Sequence, residues 1–203
     1  MGEILQTSPA ANPFGFLFDS LLASGTTNLM WKEDGLGRSV EMRRAFSAIF
    51  GRFFARAYLE CYHNFTWFGP ISGDPTYFSK RFRVTRTNGS KAYLPDWLCA
   101  GKDGVAIGEA KGSHSSAKIK TGSHPDPIKT AINQINGVAV QKFDSFSQKW
   151  VDRSVKGWAV MSRWGVENPI RDAYQYVLDP VTPGTPICQL KSPTSPRKLL
   201  GLT

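Results

Sequence analysis

The chain predicts a mixed α/β domain with helices packed against a central sheet. Three observations carry this. Residues 38–62 contain no proline, and their apolar side chains recur at spacings of three and four. Residues 81–87, 92–100 and 105–111 read as strands, punctuated by Asn88-Gly89 and by Gly101-Lys102-Asp103-Gly104. A second helical pattern and further apolar strands follow, an order that builds helices onto a sheet. At 203 residues the chain is long enough for one domain with a core of its own.

Residues 1–37 form an extension, in which Phe14, Phe16, Leu17, Phe18, Leu21 and Leu22 are expected to make a short helix packed on the body. Gly35 and Gly37 then break the chain. The helix over 38–62 is expected to bury Met42, Phe46, Ile49, Phe53, Ala57 and Cys61. Gly69-Pro70 and Gly73-Asp74-Pro75 are turn signals. After the three strands, residues 112–127 read as a loop. Pro127–Phe143 reads as a helix with Ile128, Ala131, Ile132, Ile135 and Val138 on its buried side. Gly157–Trp164 and Ala173–Leu178 read as strands. Residues 180–203 hold five prolines and predict an extended tail. The domain proper is thus expected at 38–179, between an N-terminal extension and a Pro-rich tail.

Composition narrows the class. Hydrophobic residues make up 41% and charged residues 20%, values of a globular protein rather than a disordered one. No apolar run approaches the length of about 18 residues that a spanning helix requires, so no membrane partner is expected. The first residues lack a Lys or Arg ahead of an apolar stretch, unlike a secretory signal. Cys61, Cys99 and Cys188 are odd in number and far apart, fitting neither a disulfide framework nor a thiolate metal site. A reduced, cytoplasmic protein is expected.

The charge is +9, from 25 Lys and Arg against 16 Asp and Glu. Residues 78–120 alone carry +6. A basic region of this kind attracts polyanions, nucleic acid first among them.

Within that region lies the pattern Pro95-Asp96, then Glu109-Ala110-Lys111. Side chains alternate along a strand, so Glu109 and Lys111 share a face. Symmetric closure of the Gly101–Gly104 loop pairs Ala100 with Val105 and sets Asp96 opposite Glu109. Cross-strand partners lie about 5 Å apart, and two carboxylates at that distance repel. A divalent cation makes such a pair favourable, and hard oxygen ligands suit Mg2+ or Mn2+. A lysine on the same face then orients a water or neutralises charge growing on a phosphate. The competing reading is a strand edge with a solvated Glu-Lys pair; the register and the basic setting weigh against it.

Pro95-Asp96 with Glu109-Ala110-Lys111 resembles the signature of the PD-(D/E)XK nuclease superfamily. Helix, motif hairpin, helix and strand match that family's restriction-endonuclease-like αβββαβ core over about residues 38–165. The resemblance implies that Asp96 and Glu109 bind the metal, with the Ala110 carbonyl as a further ligand, and that Lys111 is the catalytic lysine. Many members add an acid from the first helix. Glu41 is the choice here, with Glu60 weaker because Arg56 lies one turn back. Some members carry a glutamine on the following helix; Gln134 fits, with Gln141 as the alternative. The activity implied is phosphodiester hydrolysis dependent on Mg2+ (or Mn2+), favouring DNA over RNA and endonuclease over exonuclease action with both alternatives open, in an enzyme that often acts as a homodimer. Restriction, repair, phage defence and toxin roles all use such a domain.

Other residues rank lower. Arg81, Arg83 and Arg86 alternate along one strand and are expected to contact backbone phosphates, as are Lys118 and Lys120. His114 and His124 match no zinc spacing and read as loop histidines. Trp67, Trp97, Trp158 and Trp164 read as core anchors. Two other functions fit the same residues: a catalytically silent nucleic-acid-binding module, or a nuclease fragment of a larger defence or toxin protein.

Overall fold

The computed structural model describes residues 21, 30–32, 39–87, 89–102, 104–114, 123–166 and 173–179. The short helix expected around Phe14 lies outside them apart from Leu21, as do Lys118, Lys120 and the Pro-rich tail. Among the described residues no helix is long and apolar enough to cross a membrane. The chain is mixed α/β; among the described residues it has two helices of more than one residue and three sheets, one of them a two-stranded pair.

Helix α1 (Val40–His63) starts where the Ser39 hydroxyl accepts from the Met42 amide at 3.0 Å. It ends at Asn64, whose φ of 54° reverses the chain. Its buried face is not the expected one. Ser47, Phe50, Gly51, Ala55 and Leu59 are buried, whereas Ile49 and Phe53 are about half exposed. The cause is the strand beneath it.

That strand is β6 (Gly104–Ser113), at the middle of a five-stranded sheet. The sheet order is β11 (Tyr174–Leu178), β9 (Lys156–Arg163), β6, β5 (Trp97–Gly101) and β2 (Phe65–Pro70). From Ala106 on, the even positions of β6 are Ala106, Gly108, Ala110 and Gly112, a strip of small residues that lets a helix come close. A Cβ on Gly112 would lie 1.5 Å from the Ser47 carbonyl oxygen, and one on Gly51 would lie 2.6 Å from the Gly112 nitrogen. Small side chains must therefore face small side chains, and the larger Ile49 and Phe53 turn outwards. Ala55 and Leu59 continue the seam against Ala106, Ala110 and Val160.

The odd positions of β6 face the other way. Ile107 packs with Ile128, Ala131 and Ile135 of helix α2 (Asp126–Asn136). This core also holds Val84 and Val140 of a four-stranded antiparallel sheet, ordered β3 (Thr76–Ser79), β4 (Phe82–Arg86), β7 (Val138–Asp144) and β8 (Lys149–Arg153). Residues 138–143, expected to extend the second helix, are strand β7: the helix stops at Gly137, and Val138 and Val140 alternate with Ala139 and Gln141. The strand expected at 81–87 belongs to this second sheet as β4, and the central sheet takes its edge strand from β2, where only turns were expected.

Leu21 and Trp31 pack with Phe50 and Trp164 in a third apolar cluster. Met30 and Trp31 form strand β1, parallel to β10 (Gly165–Val166). Trp158 and Trp164 are buried as expected, but Trp67 is about half exposed.

Candidate active site

The hairpin register is the predicted one. Ala100 pairs with Val105, Leu98 with Ile107 and Trp97 with Gly108. Strand β5 starts at Trp97, just after the buried Pro95, which has no amide hydrogen to extend the ladder. Among the described residues, strand β6 beyond Gly108 keeps only β9 as a strand partner, through Ser113. A gap opens on the side that β5 has left, and Asp96 sits in it.

Asp96 is fixed from three directions. Its amide donates to Glu109 Oε2 at 2.8 Å, and its carbonyl accepts from the Ile71 amide. Its Oδ2 accepts from the Ala110 amide at 2.9 Å. Its Oδ1 accepts from Arg52 of α1 at 2.6 Å. The Arg52 side chain is 62% exposed and that of Asp96 is 10% exposed.

Glu109 is buried, with 3% of its surface exposed. Burial first, and the Asp96 charge second, push its carboxyl up to about 7 against the opposing pull of Lys111. Lys111 Nζ donates to Glu109 Oε1 at 2.5 Å and to Gln134 Oε1 at 2.5 Å. The buried Gln134 donates in turn to the Leu94 carbonyl at 3.0 Å. Gln134 thus reaches the site as expected. Gln141, its alternative, instead joins Arg83 and Asp152 on the second sheet.

These groups line a pocket of about 490 Å³ between α1, β6 and α2. Arg44, Ser47, Ala48 and Arg52 supply its helical wall, and His114 stands at the end of β6. His114 Nδ1 lies 3.1 Å from the Ser47 hydroxyl. Burial, then Arg43 and Arg44, hold this imidazole below its ordinary value, which favours its neutral form.

Several expected residues lie elsewhere. Glu41 is exposed in the first turn of α1 and does not line the pocket. Glu60 forms an exposed pair with Arg56, as its spacing suggested. Arg86 is tied to Asp74 and to the Ala92 carbonyl, Arg83 stacks on Trp150, and neither they nor Arg81 line the pocket. His124 binds the Tyr176 hydroxyl. The sequence reading missed Arg52 and Ser47. Their signal was the spacing of Arg44, Ser47, Ala48 and Arg52, which puts all four on one side of a helix.

Among the described residues no group of three or more His, Cys, Asp or Glu side chains converges on one point. The two that do converge suit a hard cation. A carboxyl raised first by burial and then by its acidic neighbour gains from a positive charge placed between the two acids. Comparison with protein-family models, with curated proteins and with solved structures returned no match, so the functional reading rests on the site.

Proposed function

We propose that the chain is a metal-dependent nuclease of the PD-(D/E)XK type, hydrolysing phosphodiester bonds of DNA in preference to RNA. The observation that carries this reading is the interlocked Asp96–Glu109 pair with Lys111 at 2.5 Å, open to a pocket with two arginines in its wall. The order α1, β2, β5, β6, α2, β9 supports it, since it is the αβββαβ order with hairpins β3–β4 and β7–β8 inserted.

Asp96 and Glu109 would hold Mg2+ or Mn2+, with the Ala110 carbonyl beside them. The ion would supply Lewis acidity at the phosphate and lower the pKa of a bound water. Lys111 is positioned by Gln134 to donate to the attacking water or to a nonbridging oxygen. Arg44 and Arg52 attract the phosphate into the pocket. His114, which lines the pocket, can carry a proton to or from it.

Plasmid, linear duplex, single-stranded DNA and RNA should be incubated with the purified chain, with Mg2+, Mn2+ or EDTA. Cleavage that requires metal and is lost in Glu109→Ala and in Lys111→Ala is expected. Cleavage unchanged in both variants would sink the site assignment. Metal-independent binding without cleavage of any substrate would favour the silent binding module.

A further inference from the structure

The second sheet has an outward face that the pocket does not use. Val84 and Val140 point into the core, so their neighbours along β4 and β7 point away from it. The register aligns Tyr77, Arg83, Gln141 and Asp152 in one row across all four strands. Phe143 pairs with Trp150 in the adjoining row.

The row is organised around Arg83. Its guanidinium carbon lies 4.4 Å above the Trp150 ring, and its Nε donates to Gln141 Oε1 at 2.8 Å. Gln141 in turn donates to Asp152 Oδ1 at 2.7 Å, which occupies the acid of this row. Trp150 meets Tyr77 at 5.8 Å and Phe143 at 5.4 Å between ring centres. Tyr77 is nevertheless 59% exposed. At the tip of the β7–β8 hairpin Phe146 is 98% exposed, on a turn braced by three hydrogen bonds to Asp144. A large apolar side chain held out in water on a well-bonded turn is available to a ligand.

We propose that this face binds single-stranded nucleic acid, with Tyr77 and Phe146 stacking on bases and Arg83 holding a phosphate. Every base offers a π face, so exposed rings bind a strand without reading its sequence. A stacked guanidinium keeps in-plane donors, and Arg83 uses only some of its five N–H groups on Gln141 and the Tyr77 hydroxyl. Exposed Arg81 and Lys149 add positive charge at the margin. A protein partner would have to strip water from Arg83 and Asp152 to make a dry contact, whereas a nucleic acid uses the arginine as it stands. The platform goes beyond the hydrolytic site and needs neither Glu109 nor metal.

The test uses the full chain carrying Lys111→Ala, in EDTA, so that nothing is cut. Fluorescence anisotropy measures binding to a labelled oligodeoxythymidylate, and competition measures binding to inorganic polyphosphate, which has the charge without the bases. Tyr77→Ala and Phe146→Ala are each expected to weaken oligonucleotide binding roughly 5- to 100-fold and leave polyphosphate binding unchanged. No oligonucleotide binding by the parent, no loss in either variant, or equal losses on both ligands would overturn the proposal. So would a dimer in sedimentation that disappears in the variants while oligonucleotide binding persists. If Tyr77→Ala fails to fold, Phe146→Ala decides alone, because a side chain 98% exposed has little packing to lose. Failure here leaves the cleavage assay untouched, and a failed cleavage assay leaves this result standing.

Discussion

Asp96 and Glu109 hold one another through the main chain. The Asp96 amide donates to Glu109 Oε2, and the amide of Ala110, next to Glu109, donates back to Asp96 Oδ2. Two carboxylates that repel are thereby fixed side by side by backbone groups that cannot swing away. The proximity is a property of the hairpin, and the energy to hold it comes from the ladder below.

Metal binding is expected to follow the ionisation of Glu109. Its carboxyl titrates near 7 in the folded chain and must lose its proton to become a ligand. Mn2+ affinity, measured by calorimetry, should rise about tenfold per pH unit below 7 and level off above it. In Glu109→Gln the affinity should be weak at every pH.

The same group makes a prediction about stability without metal. The folded pKa is raised from 4.5 to about 7, so the folded state binds the proton more tightly than the unfolded state. The stabilisation is fully present below pH 4.5 and is lost as pH rises through 7. The total is on the order of 3 kcal/mol. In EDTA the melting temperature should fall between pH 5 and pH 8, and Glu109→Gln should flatten that slope. Equal slopes in the two proteins would refute the assignment.

Arg52 occupies Asp96 Oδ1, where a cation would otherwise gain. Because Arg52 is mostly exposed, solvent screens the pair, and its value is below about 1 kcal/mol. Arg52→Ala should therefore raise Mn2+ affinity by no more than about fivefold, with little change in melting temperature. It should weaken substrate binding, because the pocket loses one of its two arginines; a rise in both affinities would contradict this.

Gln134 serves both Lys111 and the Leu94 carbonyl. Gln134→Ala leaves two partly buried groups short of a partner, at a cost of about 1–3 kcal/mol. The melting temperature should drop by several degrees. A positioning role for Lys111 further predicts that kcat falls more than KM rises, a split that destabilisation alone would not produce.

The closest helix contact is equally testable. Gly112→Ala puts a methyl 1.5 Å from the Ser47 carbonyl oxygen, backbone against backbone, so α1 must move off the sheet. Little folded protein is expected. Gly104→Ala is the control: nothing surrounds that position, and its φ of 127° adds only local strain.

The sequence by itself determined the class, the first helix, the motif hairpin and its register. Local chemistry sufficed: a short connection flanked by Gly101 and Gly104 sets which residues pair, and alternation then puts Glu109 and Lys111 on one face. The resemblance left Gln134 and Gln141 both open for the place beside the lysine, and only the tertiary structure puts Gln134 there. The buried face of α1 was not legible, because apolar spacing marked Ile49 and Phe53 while the glycines and alanines of β6 selected Ser47, Gly51 and Ala55. Contact distance, rather than hydrophobicity, made that choice. The second sheet was not legible either, since a strand does not announce its neighbours, and β4 pairs with β7 across more than 50 residues. Only the tertiary structure left Glu41 outside the pocket and brought Arg52 to Asp96, because those positions depend on where α1 crosses the sheet. The charge was local and readable; what it faces was decided by packing.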